Sequence, residues 1–416
     1  RVLSLLDGRS SQSDQLPSTK YLYSSHSQSG LEHLQTNFAF CYISANLSSL
    51  RLLNILQCSN LGGMEQASLG LMEALQVRGH KLAVLSLHAL GPLSPALQAR
   101  CIPALGLGYG KVPMWCIIWR LRRQLRLQSP DALVLTGHSL PALLAIVGSK
   151  PIPRVLAIHF HHTGVKHCLF WRFYYGAVRH LVTAVTFPSD FVRMEALRLC
   201  PNLASKAHTL RNPVSAVPPT TPAERLAARQ RFGLPPGCSV IGNAGWLIAR
   251  KRFDVFLHTA ATVLRQRPEA RFLIAGDGPE RERLQALASS LGIEHALLWA
   301  GWIEEMRPLY AALDVLLFHS DWDALGMTPI EAIIHGVPVV SSVLNGGLSE
   351  VLRPGVDAVV LDQHDVPKLA QAILHMLTNP SEASAMVNEA RDHVLELCDS
   401  EHLATWHERV FTSGAN

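Results

Sequence analysis

The sequence predicts an α/β protein built from two doubly wound parallel sheets. An alternation of buried-strand and helix patterns starts at residue 51 and recurs to residue 186. A proline-rich break at residues 213–222 follows, and the same alternation then begins again. The chain has 416 residues, 48% apolar and 17% charged, which is too long for one ordinary core and apolar enough for two. Strands that alternate with helices in this way form parallel sheets covered on both faces.

The first series contains five predicted strands, each an apolar run bounded by turn residues. They lie at residues 51–57, 81–87, 131–136, 154–158 and 181–186. The first strand is followed by Gly62-Gly63 and by apolar residues at helical spacing over 64–78, before Gly79 ends the helix. We assign residues 50–212 to this N-terminal domain.

The second series opens with a helix over 222–232 that follows the proline-rich linker. Its five predicted strands lie at residues 240–244, 270–275, 296–300, 315–318 and 337–341. We assign residues 213–394 to this C-terminal domain and residues 395–416 to a final helix, with its apolar pattern at 403–410. Ligands of open α/β sheets bind at the carboxyl ends of the strands, so a cleft between two such domains is the expected site.

The composition limits the remaining possibilities. Residues 1–49 are rich in Ser and Gln and predict a poorly ordered extension. The chain has no run long enough to span a membrane and no signal-peptide pattern, so we expect a cytoplasmic protein. Its eight cysteines are scattered, which favours neither a zinc site nor a disulfide framework. The formal charge of +5 suits an anionic ligand or lipid surface and does not require nucleic acid.

Two turns after predicted strands could carry chemistry. Gly62-Gly63 lets the backbone approach a ligand at the start of a helix, although a tight turn alone would also explain both glycines. The second turn lies between Asp323 and Glu331, where a helix starting near Thr328 presents free amides suited to a diphosphate. Glu331 could accept hydrogen bonds from sugar hydroxyls, or it could only complement the helix dipole. The spacing alone does not decide between these interpretations.

The segment Asp323-Ala-Leu-Gly-Met-Thr-Pro-Ile-Glu331, followed by Gly336-Val-Pro-Val-Val340, resembles a known pattern. It is similar to the E-x7-E motif of the retaining glycosyltransferases of family 4. Three further motifs occur in family order: Ala275-Gly-Asp-Gly-Pro-Glu280, Ala300-Gly-Trp302 and Gly346-Gly-Leu-Ser-Glu350. The resemblance runs from about Leu53 to the end of the chain. It implies the GT-B fold, two Rossmann-like domains that face each other across a cleft, with the last helix crossing back to the first domain.

In the C-terminal domain the resemblance implies a role for each matching residue. Glu331 would hold the donor ribose, Asp323 would contact the transferred sugar, and Gly326-Met327-Thr328 would offer amides to the diphosphate. Lys251 would be the cation that faces the diphosphate.

In the N-terminal domain, Gly62 and Gly63 match the loop over the donor phosphates. His159 matches a histidine near the transferred sugar, and His138 is a candidate for the acceptor side. A zinc site at His159, His161 and His162 is not favoured, because alternation on a strand divides them between two faces.

Two positions depart from the family pattern. Asp323 stands where the family usually has Glu, which shortens the side chain by a methylene group. Trp246 stands where the family usually has Arg, and an indole cannot neutralise a phosphate. We expect Arg250 or Arg252 to replace the missing cation.

The activity implied is transfer of a sugar from a nucleotide-diphosphate sugar to a hydroxyl acceptor, with retention and without a metal or other cofactor. A carbohydrate or lipid-linked acceptor, in polysaccharide or lipid-linked glycan assembly, is the implied setting. Because Trp246 and Asp323 depart from the family pattern, an alternative function is also open: a catalytically degenerate protein that binds nucleotide sugars. A phosphorylase would need a far longer chain with a pyridoxal lysine, and an epimerase would lack this acid pair.

Residues 115–127 form an amphipathic stretch with four arginines and two tryptophans. One interpretation is a helix that lies on an anionic membrane surface, which would make the protein peripheral at the inner face of the membrane. The other is a crossover helix whose arginines are only solvated.

Overall fold

The computed structural model describes residues 49–60, 62–160, 168–342, 345–361 and 363–413. The predicted extension at 1–49 lies outside these residues apart from Ser49. His161 and His162 also lie outside them.

The first sheet is formed by seven parallel strands in the described residues. The strands are β1 (Arg51–Leu56), β2 (Lys81–Ser86), β3 (Ala104–Gly106), β4 (Ala132–Thr136), β5 (Arg154–Ala157), β6 (Ala184–Phe187) and β7 (Ala207–Thr209). The helices are α1 (Gly63–Val77), α2 (Ser94–Ala99), α3 (Met114–Gln128), α4 (Leu140–Ile146), α5 (Cys168–Leu181) and α6 (Asp190–Leu199). The strand order is β3-β2-β1-β4-β5-β6-β7.

This sheet confirms the five predicted strands and adds β3 and β7. The strand predicted at 181–186 begins three residues later, at Ala184, because Leu181 still belongs to α5. β1 and β4 are buried over almost their whole length because helices cover both faces of the sheet. α1 begins one residue before its predicted start and buries Leu71, Met72 and Leu75. The strand order reverses between β1 and β4, so the loops that follow these strands form the switch point at which ligands of such sheets bind.

The second sheet is formed by six parallel strands in the described residues. The strands are β8 (Val240–Ala244), β9 (Arg271–Ala275), β10 (Leu297–Gly301), β11 (Val315–Phe318), β12 (Val339–Ser341) and β13 (Val359–Val360). The helices of this half are α7 (Pro222–Arg231), α8 (Phe253–Leu264), α9 (Arg281–Ser290), α10 (Arg307–Ala312), α11 (Met327–Ile334), α12 (Val366–Thr378) and α13 (Pro380–Leu397). The order is β10-β9-β8-β11-β12-β13, with the reversal between β8 and β11.

The last helix, α14 (Ser400–Ser413), packs against α1 of the first half. Its side chains Leu403, Ala404 and Phe411 belong to the same buried cluster as Leu52 and Leu75. The backbone also ties the linker to this end of the chain, since the Val214 amide donates to the Cys398 carbonyl oxygen at 3.0 Å.

None of the helices in the described ranges combines the length and the apolar composition that crossing a bilayer requires.

Candidate functional site

The loop between β11 and α11 lies at the switch point of the second sheet, where the strand order reverses between β8 and β11. Gly326 immediately precedes α11 with φ of 86°, a left-handed conformation that L side chains rarely adopt. A Cβ at Gly326 would also lie 3.1 Å from Leu348. Within the described ranges no side chain caps the start of α11, so its first amides remain available to an acceptor.

Asp323 and two cations form a compact cluster in this loop. Lys251 Nζ lies 2.7 Å from one carboxylate oxygen of Asp323 and Arg250 Nη1 lies 2.9 Å from the other. Asp323 is only 9% exposed. Burial alone would raise the pKa of Asp323, but the charges of Lys251 and Arg250 outweigh it and hold this pKa below its usual value. The acid predicted to contact the sugar therefore lies beside the cation predicted to face the diphosphate.

Arg250, Lys251 and Arg252 lie in and directly after a short 3-10 turn, Ala249–Lys251. This local backbone directs their side chains to different partners. Arg250 also stacks over the ring of Trp322 at 4.2 Å. Arg252 has a left-handed backbone conformation and pairs with Asp254 and Asp321 instead. Of the two candidates for the missing cation, Arg250 is therefore the one beside Asp323.

Lys251 is supported by a buried histidine that sequence reasoning missed. His319 Nδ1 lies 2.6 Å from the Lys251 carbonyl oxygen, and His319 Nε2 lies 3.0 Å from Asn243 Nδ2. Burial lowers the pKa of His319 to about 3, so the ring is neutral, with Nδ1 donating and Nε2 accepting. A histidine immediately after a strand was the only signal in the sequence.

Glu331 is the fifth of the eight residues of α11, and its carboxyl group is buried. The Tyr310 hydroxyl donates to its Oε2 at 2.7 Å, and among the described residues no cation pairs with it. Burial raises the pKa of Glu331 to about 7. Tyr310 is a second residue that sequence reasoning missed.

On the other side of the cleft, Gly63 faces the start of α11. A Cβ at Gly63 would lie 3.8 Å from Met327 Cγ, so the two predicted loops are close together. Glu65, in the first turn of α1, is buried and accepts a hydrogen bond from the Cys58 thiol at 2.9 Å. Burial raises the pKa of Glu65. Gly62 is extended rather than left-handed, and a Cβ there would meet the Glu65 carboxylate at 2.7 Å.

The two predicted histidines have different surroundings. His159 Nδ1 lies 3.0 Å from Asn212 Oδ1, and since an amide oxygen only accepts, this nitrogen carries the proton. Burial lowers the pKa of His159 to about 4, which keeps the ring neutral. His138 packs edge-to-face against Phe160 and Trp171, so it lies in an aromatic cluster of the first half.

Trp246 follows β8 and packs against Trp302, which follows β10, with ring centroids 5.5 Å apart. The departure from the family pattern thus places a pair of indoles at the carboxyl edge of the second sheet.

The two halves are joined beside the site by polar contacts. Glu350 accepts hydrogen bonds from the amides of Asp190 at 2.8 Å and Phe191 at 2.6 Å, which are the first two residues of α6. The Ser189 hydroxyl donates to the Ala324 carbonyl oxygen at 2.6 Å. Glu350, the last residue of the motif that starts at Gly346, therefore caps α6 of the first half.

Two family models match the chain. The model described as Glycosyltransferase Family 4 matches residues 61–216, and the model described as Glycosyl transferases group 1 matches residues 224–393.

Curated relatives match at moderate identity. The lipopolysaccharide core biosynthesis glycosyltransferase LpsE of Rhizobium meliloti is 31% identical over 37% of this chain and 44% of its own length. The alpha-D-kanosaminyltransferase of Streptomyces kanamyceticus is 27% identical over 71% of this chain and 83% of its own length. The matched region spans 44% to 48% of the first three relatives, so the chain matches about half the length of each of them.

A solved structure has the same fold. Anabaena Alr3699/HepE, in complex with UDP and glucose, superimposes with a TM-score of 0.77 over 88% of this chain and 100% of that protein, at 17% identity. The fold expected from the sequence, GT-B, is confirmed. Because the two family models together span most of the chain and their motifs meet in one cleft, the protein belongs to glycosyltransferase family 4, the glycosyl transferases group 1.

Proposed function

We propose that this protein transfers a sugar from a nucleotide-diphosphate sugar to a hydroxyl acceptor with retention of configuration. The observation that carries the proposal is the cluster of Lys251, Arg250 and Asp323 beside the uncapped amides of α11. The relatives support the class of reaction, and the UDP and glucose bound to the Anabaena protein make UDP-sugars the first donors to test. Polysaccharide or lipid-linked glycan assembly is the setting that we propose.

The departing diphosphate accumulates negative charge as its bond to the sugar breaks. Lys251, Arg250 and the amides at the start of α11 are fixed donors that would stabilise this charge without a metal ion. The acceptor oxygen forms its new bond on the same face of the sugar, and its proton moves to an oxygen of the leaving phosphate. Asp323 would orient the sugar hydroxyls, and its interaction with Lys251 holds the ammonium group in place before the donor arrives.

Two further residues would position the donor. Glu331 would accept hydrogen bonds from the ribose hydroxyls, a role that suits a carboxylate paired with one tyrosine and with no cation among the described residues. His159 is neutral, with Nδ1 engaged by Asn212, so its Nε2 could accept a hydrogen bond from the transferred sugar.

The test is a transfer assay in the presence of a chelator, with UDP-, GDP- and ADP-sugars and a panel of sugar and lipid-linked acceptors. We expect acceptor-dependent nucleotide release with at least one donor, and an anomeric coupling constant in the product that shows retention. Lys251→Ala should lower kcat about 100-fold or more, because it removes a charge that acts in the transition state. Lys368→Ala, an exposed lysine on α12, is the matched control and should leave kcat unchanged.

A second candidate function is nucleotide-sugar binding without transfer. It is favoured by Trp246, which cannot replace a guanidinium at the diphosphate. A donor that raises the melting temperature but is not turned over with any acceptor would favour this function. If no nucleotide binds the folded protein, both proposals are wrong.

A further inference from the structure

The positive charge of the chain is concentrated in one stretch of the first half. Residues 74–189 contain 13 Lys and Arg but a single carboxylate, Asp131. The rest of the chain has 24 Lys and Arg against 31 Asp and Glu, so the modest overall charge hides a strong asymmetry. Asp131 is itself bound by Arg51 at 2.9 Å. Such an asymmetry creates a field that attracts an anionic partner to one side of the molecule.

The topology collects most of this stretch on one face of the first sheet. The connections from β3 to β4, from β4 to β5 and from β5 to β6 all run in the same direction across the sheet. Right-handed crossovers therefore place α3, α4 and α5 together, whereas α1 and α14 lie on the opposite face. Consistent with this, α3 packs against α4, and α4 packs against α5.

The outer surface of these helices exposes large apolar side chains. Trp115 and Trp119 are 70% and 58% exposed on α3, while Leu169 and Phe173 are 64% and 72% exposed on α5. Each pair is spaced four residues apart, so its members share one side of their helix. The core of α3 is supplied by other positions, such as Ile117, so the tryptophans are not needed for packing.

The two apolar pairs lie at the end of this face that is nearer to the cleft. A helix between parallel strands runs antiparallel to them, so its first half lies toward the carboxyl edge of the sheet. Both pairs occupy the first half of their helix. The carboxyl edge is also where Gly63 meets Met327.

Toward the other end, a groove of about 750 Å³ opens between α3 and the segment after α4. Of the residues that the structure describes, three cations line it, Arg122, Arg126 and Lys150, with apolar side chains such as Leu125 and Ile152 between them and no carboxylate. Arg122 caps α4 through the carbonyl oxygens of Leu144 and Val147. Among the described residues, no carboxylate forms a salt bridge with Arg126 or with Lys150 within 4.0 Å. The groove is therefore complementary to phosphate groups attached to an apolar body.

We propose that the outer surface of α3, α4 and α5 docks on a bilayer that contains anionic phospholipids. Indole and phenyl rings enter the interface between headgroups and acyl chains, and the arginines and Lys150 bind lipid phosphates. The cleft then opens near the membrane surface, where an acceptor with a lipid tail would be held. Exposed Leu169 favours a bilayer over a nucleic acid, because a nucleic acid offers little for an aliphatic side chain to bury against.

Flotation of the full chain with vesicles tests the docking surface. We expect the protein to float with vesicles of phosphatidylcholine and phosphatidylglycerol and to remain unbound with phosphatidylcholine alone. High salt should weaken binding, since screening removes the attraction of exposed charges. The assay needs no donor or acceptor, so its result is independent of sugar transfer.

Two variants and two controls locate the surface. Trp115→Ser with Trp119→Ser, and Arg123→Gln with Arg126→Gln, should each lower partitioning into anionic vesicles about tenfold or more, because each removes two anchoring groups. The controls remove apolar or basic side chains elsewhere on the surface, Val77→Ser with Leu226→Ser and Arg265→Gln with Arg267→Gln, and should bind as the parent protein does. Absence of flotation with anionic vesicles at low salt would overturn the proposal. Flotation that neither α3 variant weakens, or tight binding of RNA in place of vesicles, would overturn it as well.

Discussion

Asp323 and Glu331, eight residues apart, have opposite electrostatic environments. Lys251 and Arg250 keep Asp323 ionised, whereas burial raises the pKa of Glu331, which has no cationic partner in the described part of the chain, to about 7. Two carboxylates of one motif are thus prepared for different tasks, one as a permanent anion and one as an acceptor that gains its charge near neutral pH.

The raised pKa of Glu331 predicts a pH dependence of stability. An ordinary glutamate pKa is 4.5, and in the folded protein that of Glu331 is about 7. Between these values the folded state binds more protons than the unfolded state, so the free energy of unfolding contributed by Glu331 falls as pH rises from about 5 to 7. The loss is roughly 3 kcal/mol at most. Glu331→Gln cannot ionise. Its free energy of unfolding, compared with that of the parent protein, should therefore rise by about this much between pH 5 and pH 8.

Urea unfolding of both proteins at the two pH values measures this gain, and the difference between them removes the contributions of other titrating groups. Tyr310→Phe is the companion variant. It deletes the hydrogen bond that favours the carboxylate, so its stability should fall with pH over a range that extends higher than in the parent protein. A parent and a Gln variant with parallel pH curves would contradict the prediction.

The neighbouring arginines allow a matched comparison. Arg250→Ala removes the guanidinium beside Asp323, whereas Arg252→Ala removes one bound to Asp254 and Asp321. We expect Arg250→Ala to weaken binding of a nucleotide-diphosphate sugar about tenfold to 100-fold, which is the effect of a lost charged hydrogen bond. Arg252→Ala should change the affinity for the same nucleotide-diphosphate sugar by less than about threefold. Calorimetric titration of both variants decides, and equal losses would mean that neither arginine is specific to the donor.

The Gly346 to Glu350 motif acts across the cleft. Gly346 has φ of 83°, and a Cβ there would lie 2.0 Å from the Asp323 carbonyl oxygen, so the segment passes directly against the loop that carries the acid. Its last residue, Glu350, then reaches α6 of the other half. The motif therefore couples the position of Asp323 to the closure of the two halves.

Glu350→Gln tests this coupling. An amide oxygen can replace only one of the two carboxylate oxygens that accept from Asp190 and Phe191, and it carries no charge toward the helix dipole. We expect a loss of about 1 to 2 kcal/mol in the free energy of unfolding and a larger radius of gyration in X-ray scattering. Glu269→Gln, on the surface of the second half, is the control. An unchanged radius of gyration would show that other contacts hold the cleft closed.

The sequence predicted ten of the strands and missed three short strands at the edges of the sheets. A continuous apolar run such as Val315–Phe318 is long enough to predict a strand with its observed bounds. β3, β7 and β13 have two or three residues, and most of them are half-buried at or near the sheet edges, so no apolar run distinguishes them from loops.

The structure brings many of the predicted site residues together, but their pairing could not be predicted. The resemblance to the family pattern indicated these residues, since the spacing of Asp323 and Glu331 alone left two interpretations open. Which of Arg250 and Arg252 faces the acid could not be predicted, because the 3-10 turn and the left-handed backbone of Arg252 decide it. Tyr310, His319 and Asn212 were missed because their roles depend on contacts between residues far apart in the chain.

The first half of the molecule is built from two separate segments of the chain, because the C-terminal helix α14 completes its core. Arg78 Nη2 lies 2.7 Å from Glu408, and Arg78 Nη1 lies 2.6 Å from Glu401. His80 Nε2 lies 2.8 Å from the other oxygen of Glu408. Arg78, Glu401 and Glu408 are partly exposed, so their ion pairs fix the register of α14 more than they stabilise it.

The apolar contacts of α14 should therefore dominate its attachment. Phe411 is 3% exposed among the core residues of the first half, and Phe411→Ala would leave a cavity there. We expect the free energy of unfolding to fall by about 3 to 5 kcal/mol. The adjacent Thr412 is exposed, so Thr412→Ala on the same helix is the control and should change stability by less than about 0.5 kcal/mol. Hydrogen exchange should quicken in α1 and α14 before it quickens in α8 and α9, because only the first half loses its packing. Uniform acceleration in both halves would mean that α14 stabilises the molecule as one cooperative unit.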